Sequence, residues 1–213
     1  MRLKMKDFLS RLFRFLTKWI PGKRPVEPTV APFEKLKVLL VCTGNTCRSP
    51  MAEKFAQHMI DHCPQTYGKV IGEVKSAGFA AHDGDPASKH AQTVVLEQGV
   101  GDLSQHKAVK LNQALVDWAD VVVSMTYRLS VDVATRFDNG HTRFFSMGEF
   151  SGLGSQGVIP DPYGGSLKAY QACAKKIEEA LTLGFGLLLL HEEQALNMGF
   201  GLLIKEEFPA EVK

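Results

Sequence analysis

The sequence predicts an α/β protein: an open four-stranded parallel sheet with helices on both faces, preceded by an amphipathic helix. Three observations lead there. From Leu36 onward, short apolar runs alternate with stretches of helical spacing, the pattern of successive βαβ units, whose crossovers make neighbouring strands parallel. The first run, Val38 to Val41, stops at Cys42, and Gly44-Asn45 and Arg48-Ser49-Pro50 follow. That order reads as strand, tight loop and helix start. Ahead of it stand a basic amphipathic stretch and a proline-rich one.

Taken in order, residues 1–20 have helical spacing. Lys4, Asp7, Arg11, Arg14 and Lys18 fall on one stripe, and Met5, Phe8, Leu9, Leu12, Phe13, Leu16, Trp19 and Ile20 form a wide apolar face. The charges rule out a transmembrane span and a secretion signal. Three readings stay open: a helix on an anionic membrane surface with Trp19 at the interface, a transit or partner-docking helix, and a helix packed on its own domain. Residues 21–34 follow as a semi-rigid linker carrying Pro21, Pro25, Pro28 and Pro32.

Residues 35–182 hold the main domain. Strands are expected at about 36–42, 70–77, 121–125 and 143–146, and helices at about 50–62, 88–98, 111–118, 127–137 and 166–183. Ser49 is expected to cap the helix after the first strand, with Pro50 at its first position, and Ser88 and Ser166 to cap later ones. Residues 183–213 form a hydrophobic extension in which Gly184-Phe185-Gly186-Leu187-Leu188 recurs as Gly199-Phe200-Gly201-Leu202-Leu203. Two copies are too few for a solenoid.

The net charge of +2 conceals an asymmetry. Residues 1–24 carry eight Lys/Arg against Asp7 alone, a balance of +7 that leaves −5 for the rest. A mildly acidic domain argues against nucleic-acid binding. Four unevenly spaced cysteines (Cys42, Cys47, Cys63, Cys173) suggest no disulfide framework and a reducing compartment, the cytoplasm. The histidines lack ligand spacing, so neither a metal nor another cofactor is expected.

The stretch from Cys42 to Pro50 carries the chemistry. Backbone N–H groups of a tight loop, together with a helix N-terminus, hold an oxyanion from several sides. Gly44 eases the turn, and Asn45 is the non-glycine type most tolerant of positive φ. Arg48 offers a planar fork to two phosphate oxygens. The same field favours the thiolate form of Cys42, which is the nucleophile. The competing reading is a buried structural cysteine beside an unrelated arginine. A second landmark is Ile159-Pro160-Asp161-Pro162-Tyr163-Gly164-Gly165-Ser166, where a proline-flanked Asp161 sits on a stiff loop; ordinary turn chemistry is its competing reading.

Cys42-Thr43-Gly44-Asn45-Thr46-Cys47-Arg48-Ser49-Pro50 resembles the signature loop of the low-molecular-weight protein tyrosine phosphatases, and is most similar to the branch of bacterial protein arginine phosphatases. The likeness spans roughly residues 36–182. It implies metal-free, two-step hydrolysis of phosphorylated protein side chains, phosphoarginine or phosphotyrosine. Cys42 attacks phosphorus, Arg48 and the loop amides of Thr43, Gly44, Asn45, Thr46 and Cys47 hold its oxygens, and Ser49 supports the thiolate. Asp161 matches the general acid, and Tyr163 a wall of the substrate cleft. Thr46 replaces the aliphatic residue usual in tyrosine-specific members, Tyr163 is followed by glycines rather than a second aromatic, and Thr126 stands where Asp is common; all three departures lean toward the arginine branch. By family behaviour Cys47 pairs reversibly with Cys42, while Cys63 and Cys173 are structural. Arsenate reduction on the same scaffold needs two resolving cysteines, and residues 64–172 contain none. A non-catalytic phosphate-binding module would have lost Cys42, Arg48 or Asp161.

Overall fold

Burial on both sides of the first strand sets the architecture. In a computed structural model that describes residues 35–197, β1 runs Leu36–Cys42. Val38, Leu40 and Cys42 point to one side and Leu39 and Val41 to the other, all of them buried. A strand apolar on both sides must lie inside a sheet covered on both faces. Elements α1 (Arg48–His62), the one-turn α2 (Tyr67–Val70), β2 (Ile71–Gly78), α3 (Lys89–Glu97), α4 (Gln113–Trp118), β3 (Val121–Ser124), α5 (Tyr127–Phe137), β4 (Arg143–Ser146), the short α6 (Met147–Phe150) and α7 (Leu167–Asn197) follow. The sheet is parallel throughout, in the order β2-β1-β3-β4.

The two faces are covered by different helices. Met51 and Phe55 of α1, Val94 and Val95 of α3, and Ile177, Leu181 and Phe185 of α7 pack on the Leu40 side. Val116 of α4 and Leu129, Val133 and Phe137 of α5 pack on the Val41 side. Because β2 and β3 flank β1, the connections leaving β1 and β2 part to opposite directions at its carboxyl end. In such sheets a crevice opens at that point, and Cys42 stands there.

Two local expectations are corrected. Ser49 is not the cap of α1: the helix begins at Arg48, Cys47 occupies the cap position without a side-chain bond, and Ser49 turns inward instead. Pro50 then sits third in the helix, still among the first four N–H positions that lack an intrahelical partner, so its missing donor costs nothing there. The last helix does not stop near Leu183 but continues to Asn197, so a boundary at 182 falls within one helix. Its glycines are accommodated by packing. Any side chain at Gly184 would collide with the Phe150 ring, and Phe185 is buried edge-on to Phe150, with Tyr67 tilted against it. Ser88, Asn112, Thr126 and Ser166 cap their helices through bonds from Ala91, Leu115, Leu129 and Ala169 N–H. The helix at 1–20, the linker at 21–34 and the second copy of the Gly-Phe-Gly repeat lie outside the described residues.

Candidate active site

Strand β1 delivers Cys42 to the crevice, and the loop to α1 folds around its sulfur. Cys42 Sγ accepts hydrogen bonds from Asn45 N–H at 3.2 Å and Ser49 Oγ at 3.1 Å. The inward turn of Ser49 is thus what places its hydroxyl on the nucleophile.

Asn45 holds the loop's shape. Its φ of +53° makes it the one non-glycine residue at positive φ among the described residues; the left-handed turn sits here and not at Gly44. Its side chain donates to Ser49 Oγ and Ser76 Oγ, both at 2.9 Å, and accepts from Val109 N–H at 2.9 Å. Its carbonyl lies 2.7 Å from His106 Nε2. A carbonyl only accepts, so His106 carries a proton on Nε2. This bond fixes the peptide that joins Asn45 to Thr46, and Thr46 lines the cleft. Gly78 backs the loop: a Cβ there would stand 2.8 Å from Asn45 N and 2.9 Å from Gly44 C.

Arg48 reaches the same cleft from the first turn of α1. It is 5% exposed, and its Nη2 donates to Asp161 Oδ2 at 2.6 Å, with Thr43 Oγ1 at 3.5 Å. Its Nε–H is buried and bonded to no protein group, which leaves it as a donor for an acceptor in the cleft. Asp161 sits between Pro160 and Pro162, and its Oδ1 accepts from Tyr163 N–H at 3.2 Å. Its side chain is half exposed and overhangs the loop. Tyr163 stands at the mouth, 77% exposed. Together these residues line a cleft of about 300 Å³, whose other wall is Ala80, Ala81, His82 and Asp85.

Cys47 turns its sulfur to Tyr170 and Ser88. Its sulfur lies 3.2 Å from Tyr170 Oη, 3.5 Å from Ser88 Oγ and 3.6 Å from Thr46 Oγ1. Burial pushes the Tyr170 phenol up to about 12, and its bond to Cys47 adds to the rise. Burial likewise lifts the Cys173 thiol to about 12, which suits a structural residue. All four cysteines are free thiols, and Cys63, expected to be structural, is exposed.

All ten residues singled out from the sequence therefore gather at one site. Sequence reasoning missed Ser76, Gly78, His106 and Tyr170, which reach the loop from β2, the segment after α3, and α7. The one legible hint was Ser76-Ala77-Gly78 at the carboxyl end of a predicted strand, the end where parallel sheets build sites.

A cysteine sulfur cupped by N–H and O–H donors, with a guanidinium and a carboxyl group beside it, is the arrangement of a cysteine-dependent phosphatase. Comparison with known proteins narrows this. Residues 37–193 match the family described as low molecular weight phosphotyrosine protein phosphatase. A protein-arginine-phosphatase of Geobacillus stearothermophilus is 37% identical over 142 residues, 67% of this chain and 88% of that protein. One from Bacillus subtilis (strain 168) is 32% identical over 146 residues, 68% of this chain and 92% of that protein. The solved structure of a Cys-to-Ser variant of YwlE arginine phosphatase with a phosphorylated active-site serine superposes with a TM-score of 0.64 at 30% identity, covering 72% of this chain and 95% of that one. The chain belongs to the low-molecular-weight phosphotyrosine protein phosphatase family.

Proposed function

We propose that this protein hydrolyses phosphorylated protein side chains, phosphoarginine in preference to phosphotyrosine, through a phosphocysteine at Cys42. The observation that carries the reading is the convergence of Cys42, the unpartnered Nε–H of Arg48 and Asp161 on one cleft. Phosphoryl oxygens satisfy that buried donor and compete with Asp161 for Arg48, so substrate releases Asp161 toward the leaving atom. Cys42 Sγ attacks phosphorus in line; the S–P bond forms, the P–N or P–O bond breaks, and Asp161 gives the leaving atom its proton. Asp161 then takes a proton from the water that attacks phosphorus, the S–P bond breaks, and inorganic phosphate and thiolate are restored. The loop amides and Arg48 hold the equatorial oxygens throughout. Preference for phosphoarginine is supported by the relatives named above and by Thr46, whose hydroxyl stands where an aliphatic wall would favour a phenol. In this reading the enzyme works in the cytoplasm, and residues 1–20 lie on an anionic membrane surface, supported by their basic stripe, apolar face and Trp19.

The test is phosphate release from a phosphoarginine-bearing protein and a phosphotyrosine peptide, side by side. Release is expected to fall to background in Cys42→Ser and by about 10²–10⁴-fold in Asp161→Asn. Thr46→Ile is expected to shift preference toward phosphotyrosine. Release that persists in Cys42→Ser overturns the nucleophile assignment.

A further inference from the structure

The cleft has a second carboxylate that the hydrolytic steps do not use. Asp85 lines it together with Tyr163, and among the described residues its side chain enters no ion pair. Its backbone is held from several directions. Asp85 N–H donates to His82 O at 3.2 Å, Asp85 O accepts from Ala108 N–H at 2.8 Å, and Gly84 N–H donates to Ala108 O at 2.9 Å. Pro86 bridges Lys107 in antiparallel fashion. The segment is also tied to the phosphate loop at both ends: Phe79 and Ala80 N–H donate to Cys42 and Thr43 carbonyls at 2.9 Å, and Ser88 N–H to the Thr46 carbonyl at 2.9 Å. The wall therefore stands at a fixed place relative to the phosphoryl site. Along it, Ala80 and Ala81 are too small to stack on a phenol ring, which leaves His82 as the aromatic group of this wall.

From this we infer that Asp85 is a specificity-determining residue that recognises a cationic leaving group, the guanidinium of phosphoarginine. The inference rests on the phosphatase reading above and adds a second anionic contact to it. When the P–N bond breaks and Asp161 protonates the departing nitrogen, arginine leaves as a guanidinium cation, whose paired N–H groups match a carboxylate. A phenol offers no such donors and leaves without positive charge, so Asp85 gains phosphotyrosine nothing. Tyr163 supplies the opposite face, on which a guanidinium plane stacks. Because Asp85 is exposed, its contribution is modest and sensitive to salt.

The test compares Asp85→Asn, Asp85→Glu and Cys42→Ser with the unaltered chain on both substrates. Asp85→Asn is expected to lower kcat/KM for phosphoarginine about five- to tenfold, a loss on the scale of one charge-assisted contact, and to leave phosphotyrosine unchanged or slightly improved. Asp85→Glu should recover part of the loss. The preference of the unaltered chain should shrink with rising ionic strength, and that of Asp85→Asn should not. An equal fall on both substrates, or no fall on phosphoarginine, overturns the role of Asp85 while leaving the phosphatase reading intact. Absence of Cys42-dependent release from either substrate overturns both.

Discussion

Asn45 joins four parts of the chain through one residue: the Cys42 sulfur, Ser49 on α1, Ser76 on β2 and the segment 106–109. Its short amide suits both the left-handed backbone and the three side-chain bonds, which is why the turn is sited here rather than at glycine. Tyr170 plays the matching part on the Cys47 side, and its titration has a definite sign. The folded state raises the phenol from 10.0 to about 12, so the fold favours the protonated form. That contribution is complete below pH 10, and it is lost as pH rises through about 12. Tyr170→Phe is therefore expected to flatten the alkaline limb of a pH-melting series while leaving tyrosinate absorbance to rise only from the other tyrosines. An identical alkaline limb in the variant would show that Tyr170 holds no such proton. At this scale the sequence was most legible where chemistry is contiguous. Cys42 through Ser49 form one run, and Asp161 is flagged by its flanking prolines. His106 and Asp85 carry no local mark, since their closeness to the loop depends on which strands become neighbours.

Helix α7 shows where local propensity loses to packing. Glycine in a helix interior costs roughly 1 kcal/mol relative to alanine, and Gly184 and Gly186 both fall inside α7. The fold overrides this because Gly184 lets the Phe150 ring approach the helix and Phe185 then fills the space between α6 and α2. Fully burying an aromatic ring outweighs the glycine penalties. Phe185→Ala is expected to destabilise the domain by about 3–5 kcal/mol, seen as a lower urea midpoint with an unchanged slope. A loss below about 1 kcal/mol would mean that the helix beyond Leu183 is peripheral to the fold. The strands were legible almost to the residue, since their apolar runs are short, β-branched and bounded by turns. The start of α1 was misread because serine favours a cap in general, whereas here its hydroxyl is drawn inward by a sulfur and two further partners.

For the whole molecule, the order β2-β1-β3-β4 places the reactive loop at the opening of the sheet, leaving the far end free of any catalytic task. Among the described residues, no helix is long and apolar enough to cross a membrane; the attachment proposed for residues 1–20 is to a bilayer surface. Their charge argues for an anionic surface: eight Lys/Arg against one acid in the first 24 residues, beside a domain of opposite sign. Each basic residue near such a surface contributes about 1 kcal/mol, and apolar side chains inserted at the headgroup boundary add to it. The full chain is expected to sediment with phosphatidylserine-containing vesicles and not with phosphatidylcholine alone, and to be released as salt is raised. Replacing Arg11, Arg14 and Lys18 by glutamate, or removing residues 1–33, should leave it in the supernatant with phosphate release from a soluble substrate unchanged. Vesicle binding that survives both changes would remove the membrane role from residues 1–20 and leave the helix as a docking element for a protein partner.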